Sequence, residues 1–408
     1  MIPSPRLVAA FAALTLGCLS AQEARTWTDL KGRKLEGSFV KQDDATVWVL
    51  KGDGKEVAIP KASLSEDDRK HLQTATPASP AAPGKPGATA GARFATAKID
   101  TAAWTPKPEG FKIGTQLFPV SIESDHFVIA GGAKARPAML VIYAEAAERL
   151  WIDMATDLPG LAAAFEGKKM PILLLDGEKE VMPFAKWHDE HASSSPNVSP
   201  SVYLDSHVIV GFNLDKDLAE EKGLTTLGRV YRVDSKKAEH NRKTWPARVH
   251  FMSSDILRHF TGDPDTNDKY SIASIRLVHS YHREDQVCGK IESEVSFGGA
   301  ALEGFRNGRN WAGATKKLLK DGIQPDIAVF METRNSEVEP RDLGFGFGLM
   351  HFIHADPART KGFAEILETA AKDDKSPDPE DFAKGLGFDS PGALNKAWKD
   401  YMLSDAFQ

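Results

Sequence analysis

Cysteine is almost absent from this 408-residue chain, which has only two. One of them, Cys18, lies in an N-terminal leader; with the leader gone Cys288 stands alone and no intramolecular disulfide can form. The mature fold must therefore stand on its apolar cores. Positive charge is also scarce: 51 Lys and Arg against 57 Asp and Glu give a formal net charge of −6. That argues against a general nucleic-acid binder, which needs a basic face to displace phosphate counterions. Long apolar runs are missing as well. Leu7 to Leu19 is too short to span a bilayer comfortably and no later stretch does better, so no transmembrane segment is expected. There is no Gly-x-Ser-x-Gly elbow for a serine nucleophile. Gly344-Phe345-Gly346-Phe347-Gly348 has the wrong spacing for a dinucleotide loop and reads as close helix packing. No cofactor is expected.

What is present begins with an export signal. Arg6 supplies a positive start, Leu7 to Leu19 the apolar stretch, and Leu19-Ser20-Ala21 a small-residue cleavage site before Gln22. Residues 1–21 thus read as a signal peptide, and the protein as exported to a periplasmic or extracellular space. Leu16-Gly17-Cys18 loosely resembles a lipobox, but Thr15 and Leu16 fit it poorly, so plain cleavage is preferred to a lipid anchor on Cys18. Hydrophobic residues at 41% and charged residues at 26% suit soluble globular domains. The length calls for two or three of them.

Residues 22–73 form the first. Lys34 to Val40 and Thr46 to Leu50 read as strands, Gly52-Asp53-Gly54 as a tight turn, and Lys55 to Pro60 as the returning strand. Ser65 followed by Glu66, Asp67 and Asp68 is an N-cap with an acidic first turn. Arg25-Thr26-Trp27-Thr28-Asp29, Gly32-Arg33, Gly37-Ser38-Phe39-Val40, Val47-Trp48-Val49-Leu50, Gly54-Lys55, Ile59-Pro60 and Leu64-Ser65-Glu66-Asp67-Asp68 together resemble the Sla homology domain. The resemblance implies a small all-β, SH3-like barrel that binds a protein or peptide. Alternation around Val47 and Val49 places Trp48 in the core and leaves Trp27 and Arg33 as the peptide-binding candidates. A purely structural accessory barrel is the alternative.

Residues 74–97, rich in Pro, Ala and Gly, read as a linker with too little apolar surface to order itself. Residues 98–408 follow as an α+β domain, a mixed sheet and then a helical half. Strands are expected at Phe127–Ala130, Met170–Leu175 and within Val202–Phe212. Helices are expected at Pro137–Met154, Glu180–His191, Arg248–Phe260, Ile272–Val287, Ala312–Lys320, Leu343–Ile353, Thr360–Ala371 and Pro391–Leu403.

This order resembles the thermolysin-like, or gluzincin, metallopeptidases, whose signature is a His-Glu-x-x-His helix followed by a helix bearing a third, carboxylate ligand. Two His at i and i+4 share a helix face and hold zinc, and the intervening Glu is the general base. His-Glu-x-x-His occurs nowhere in this chain. The best match sets Leu277-Val278-His279-Ser280-Tyr281-His282-Arg283-Glu284 on the second motif and His250-Phe251-Met252-Ser253-Ser254 on the first. His250 then survives, while Phe251, Ser254 and Leu277 replace base, second ligand and third ligand. The resemblance therefore implies a zincin-like domain without its zinc.

Other polar groupings remain. His279 and His282 with Glu303 form an alternative metal set. Asp255 with His259, and His188-Asp189-Glu190-His191, are weaker ones, and surface or helix-pair roles are favoured for all three. Three functions stay open: a non-catalytic exported peptide- or protein-binding protein, an active metal-dependent hydrolase with a shifted site, and a structural envelope component.

Overall fold

The computed structural model describes residues 25–30, 33–42, 46–51, 56–74, 90–191, 211–233, 245–262, 269–293, 310–334 and 337–407. The chain divides into two compact units, Met1–Ala81 and Ala82–Gln408. The expected leader, residues 1–21 with Cys18, and Glu303 lie outside the described residues.

The first unit is an antiparallel meander of β1 (Arg25–Thr28), β2 (Lys34–Gln42), β3 (Thr46–Lys51) and β4 (Glu56–Pro60), in that order. A 3-10 turn at Lys61–Ser63 carries the chain back to β1, where Asp29 and Leu64 bridge and Ser65 N donates to Thr28 O at 2.8 Å. Helix α1 (Glu66–Thr74) follows. Its Asp68 is buried and accepts from Thr28 N at 2.7 Å and Ser65 Oγ at 2.9 Å, so one carboxylate ties helix, cap and strand together. Val47 and Val49 alternate inward and meet Trp27, Leu64 and Leu72 in a small core.

Trp27 therefore corrects an expectation. It is 1% exposed, filling the core rather than offering its ring to a ligand. A unit this small has few large apolar side chains, and the indole is the largest available filler. Arg33 is exposed and pairs with Asp29 through Nε at 2.6 Å. The side chain of Trp48 lies outside the described residues.

The second unit starts earlier than its composition suggests. Residues 90–96 form helix α2, not linker. Phe94 buries itself, Arg93 bonds Asp153 and Asp157, and the Arg149 guanidinium donates to the backbone oxygens of Phe94 and Ala95 at 3.2 Å each. One aromatic and one arginine order a segment that is otherwise Ala, Gly and Thr.

A mixed sheet of order β10-β11-β9-β8-β7 follows, comprising β7 (Val120–Glu123), β8 (Phe127–Gly131), β9 (Met170–Asp176), β10 (Gly211–Asn213) and β11 (Leu227–Val233). A short hairpin, β5 (Phe111–Ile113) and β6 (Gln116–Phe118), precedes it. β8, β9 and β11 run parallel, pairing Ile129 with Ile172 and Tyr231 with Leu174, while the outer strands are antiparallel. β8 is buried at every residue and β9 at all but its last, as strands covered on both faces must be. Helix α3 (Pro137–Asp157) and, beyond the short α4 (Leu161–Ala164), helix α5 (Glu178–His191) provide that cover. Val128, Ala130, Leu173, Leu175 and Val230 pack under Val181, Phe184 and Ala185 of α5.

After α6 (Lys216–Lys222) and β11 the chain is helical, with α7 (Trp245–Thr261), α8 (Ala273–Cys288), α9 (Trp311–Lys320), α10 (Ile327–Glu332), α11 (Pro340–His354), α12 (Pro357–Asp373), α13 (Pro379–Gly385) and α14 (Pro391–Leu403). α8 lies between α7 and α11 and also packs on α2. Among the described residues no helix is long and apolar enough to cross a membrane.

The glycines of α11 explain how closely these helices approach. A Cβ on Gly346 would stand 2.5 Å from Val278 Cγ1 and 2.7 Å from the Phe330 ring, and one on Gly348 would stand 2.4 Å from Met402 Sδ. The β-branched Val278 has no rotamer freedom to retreat into. Gly346→Val should thus destabilise the second unit by about 1–3 kcal/mol through overpacking. Urea unfolding followed by circular dichroism measures this. An unchanged midpoint would mean that α8 and α11 are less tightly apposed than described.

Candidate functional site

The helices α8 and α11 bring four of the chain's twelve histidines together in the interior. α8 carries His279 and His282 at i, i+3, and α11 carries His351 and His354 at the same spacing, so each pair shares one helix face. The faces meet. The His282 ring lies parallel to that of His354 with centroids 4.8 Å apart, and His351 stands edge-on to it at 4.6 Å. Nδ1 of His279 and of His282 and Nε2 of His354 make no hydrogen bond to a described residue.

Beside the imidazoles lies a buried ionic cluster. Arg283 is wholly enclosed and donates through Nη1 to Asp153 Oδ2 at 2.7 Å and through Nη2 to Asp157 Oδ2. Its Nε meets His279 Nε2 at 3.4 Å. Arg93 reaches the same carboxylates from α2, at 2.8 Å and 2.6 Å. His354 Nδ1 stands 3.7 Å from Asp157 Oδ2. Two arginines and two aspartates neutralise one another and join α2, α3, α8 and α11.

The titration of these groups follows from that setting. Burial, then the positive charge of Arg283, depresses His279 far below the ordinary imidazole value. Burial and the neighbouring His351, His354 and Arg283 do the same to His282. His354 falls to about 3, from burial first and Arg283 second. Against the upward push of burial, Arg283, His354 and Arg93 hold Asp157 well below the usual carboxylate range. The guanidinium that disfavours an imidazolium disfavours a metal cation by the same Coulombic repulsion.

The positions that the zincin-like alignment would assign to zinc lie on the opposite side of α8. His250 faces Glu284 and not Leu277. Its Nδ1 is 3.3 Å from Glu284 Oε2, and its ring tilts over Tyr281 at 4.2 Å. Leu277 is seven residues, about 10 Å of helix, further back. Glu284 is itself engaged: its Oε1 accepts from Glu292 N at 2.6 Å and Ser293 N at 2.9 Å, anchoring the chain that leaves α8. Phe251, where a general base would stand, lies under the Arg229 guanidinium at 5.0 Å. Arg229 is fixed by Asp255 through two bonds of 2.5 Å.

The weaker groupings resolve into structural roles. Asp255 faces Arg229, whereas His259 Nε2 meets Ala164 O at 2.9 Å with its ring edge-on to Phe165. The two do not share a ligand. His188 is buried against Phe184 and Phe212, and Glu190 of the same run is exposed. His279 and His282 do meet other imidazoles, but those of α11. Their expected partner Glu303 lies outside the described residues. Among the described residues no group of three or more His, Cys, Asp or Glu is arranged to hold a metal ion.

Sequence reasoning missed His351, His354, Asp153, Asp157 and Arg93. A signal was available for four of them. His351 and His354 repeat the i, i+3 spacing of His279 and His282, and Asp153 and Asp157 are i, i+4 on an otherwise apolar helix face. No family model matches the chain, and neither the curated proteins nor the solved structures contain a match to it.

Proposed function

We propose that this is an exported, non-catalytic protein- or peptide-binding protein: an SH3-like module of the Sla homology type joined to a zincin-like domain without a zinc site. The observation that carries the reading is the fate of the catalytic positions. His250 packs on Tyr281 and Glu284, and Phe251 lies under Arg229 where a base would be needed. Phe cannot take a proton from water, and a catalytic zinc needs three protein ligands and an open fourth position. The mixed sheet followed by helices α7 and α8 supports the zincin-like reading. The meander closed by a 3-10 turn onto β1 supports the SH3-like one.

With Trp27 in the core, the binding surface of the first unit centres on Arg33 and its neighbour Leu30, which is 65% exposed. Panning a displayed peptide library on the mature full-length chain should enrich one family of short peptides. Arg33→Glu should weaken the best of them by about tenfold or more, or 1.4 kcal/mol. Absence of any enriched family would favour a purely structural barrel. Enriched peptides indifferent to Arg33 would move the site elsewhere.

A further inference from the structure

The two arginines that neutralise Asp153 and Asp157 are held unequally. Arg283 is fully enclosed on the sixteen-residue helix α8. Arg93 keeps 27% of its side chain exposed and comes from α2, which is seven residues long and is the first described element of the second unit. Apart from the ionic cluster, α2 is fastened by the buried Phe94 and by Arg149, which donates to the backbone oxygens of Phe94, Ala95 and Ala97. Neither fastening carries a group that titrates in mild acid.

A third cation can form at the same carboxylate. Asp157 Oδ2 accepts from Arg93 Nη2 at 2.6 Å and from Arg283 Nη2, and His354 Nδ1 stands 3.7 Å from that same oxygen. The other titratable groups facing His354 are His279 and His282 of α8 and His351 of its own helix, itself 3.8 Å from Asp285. From α12 it meets only the Phe363 ring. With Arg93 docked, two cations face two anions, and a proton on His354 adds a positive charge that nothing opposes. With Arg93 gone, the same proton restores the balance, because Arg283 and the His354 imidazolium then face Asp153 and Asp157.

We propose that Arg93 and His354 compete for Asp157, so that acid releases α2 from the second unit before the rest of that unit unfolds. Burial first and Arg283 second hold His354 at about 3, and docked Arg93 adds to them. By reciprocity, a proton on His354 weakens the docking of α2. Release opens the cluster to water and removes one of the two repelling guanidinium groups, which returns the imidazole towards its ordinary value of 6.5. Above that pH His354 is neutral in both forms and docking is unaffected. Below it, release is favoured by up to about tenfold per pH unit. The connection to the first unit then gains the residues of α2, about 24 Å of extended chain. The device does not depend on the peptide-binding reading.

Hydrogen exchange followed by mass spectrometry on the full-length chain at pH 7.5 and 5, corrected for the intrinsic pH dependence of exchange, tests this. The amides of Phe94 to Ala97 should lose about tenfold in protection between the two, while β9, the central strand, stays better protected than α2 at pH 5. His354→Phe cannot take up the proton and should hold α2 protection constant across the range. Should that variant not fold, Arg93→Met, which alters a partly exposed side chain, decides: its α2 should already be unprotected at pH 7.5. Unchanged α2 protection at pH 5 in the native chain overturns the proposal. So does α2 protection equal to that of β9 at pH 5, a tenfold loss that persists in His354→Phe, or an Arg93→Met chain whose α2 stays protected.

Discussion

Replacing Arg283 by Met should destabilise the second unit by about 3–5 kcal/mol, the cost of leaving one side of a buried ion cluster unpaired. Arg283 is fully enclosed and bonds both Asp153 and Asp157. Without it the two carboxylates share only Arg93, whose side chain is 27% exposed and sits on the short helix α2. Urea unfolding monitored by circular dichroism reads the loss. The double variant Arg283→Met/Asp153→Leu should recover part of it, because removing both partners also removes the stranded charge. A single variant of wild-type stability would mean that the cluster does not hold α2, α3 and α8 together.

Mild acid should destabilise the second unit. In an unfolded chain each imidazole takes up a proton near pH 6.5. In the folded protein burial and Arg283 keep His279 and His282 far below that value, and His354 at about 3. Above pH 6.5 both states are neutral and this contribution is flat. Below it the unfolded chain binds protons that the folded protein refuses, so stability falls with pH until the folded imidazoles protonate, which for His354 is near 3. Each group steepens the loss by up to about 1.4 kcal/mol per pH unit, and three together by about 4. By pH 5 His354 alone accounts for a deficit of about 2 kcal/mol, and His279 and His282 add to it in the same direction. Asp157 opposes none of this, because a depressed carboxylate loses its contribution only below its ordinary value of 3.8. Urea midpoints measured between pH 7.5 and 5 should fall steeply, and less steeply in His282→Phe. A flat profile would show that the imidazoles are hydrated in solution.

Much of the fold was legible because apolar periodicity is a local signal. The helices expected at Arg248–Phe260, Ile272–Val287, Ala312–Lys320 and Pro391–Leu403 are those observed, to within a few residues. β11 was overlooked because Arg229 and Arg232 interrupt its apolar residues. Arg229 is tolerated inside the sheet only because Asp255, twenty-six residues later on α7, neutralises it. Helix α2 was read as linker for the converse reason: apart from Arg93, Phe94 and Thr96 its sequence is Ala and Gly, and its order comes from Asp153, Asp157 and Arg149, which are more than fifty positions away. The candidate site shows the same limit. Spacing along α8 picked out His279 and His282, but nothing along α8 reports that α11 places a second pair against them. Nor could spacing alone tell that His250 meets Glu284, since the relative register of two helices is fixed by side-chain packing between them.

The proposed absence of a zinc peptidase site is tested most directly by elemental analysis of the protein, purified without chelator in zinc-supplemented buffer, alongside a peptidase assay on the same sample. The account predicts no stoichiometric zinc and no hydrolysis, because on the proposed zincin-like alignment Phe251 stands where the base is needed, and Arg283 repels cations from the imidazoles of His279 and His354. One zinc per chain, lost on replacing His279 or His282 by Ala, would contradict it and establish the shifted-site enzyme instead.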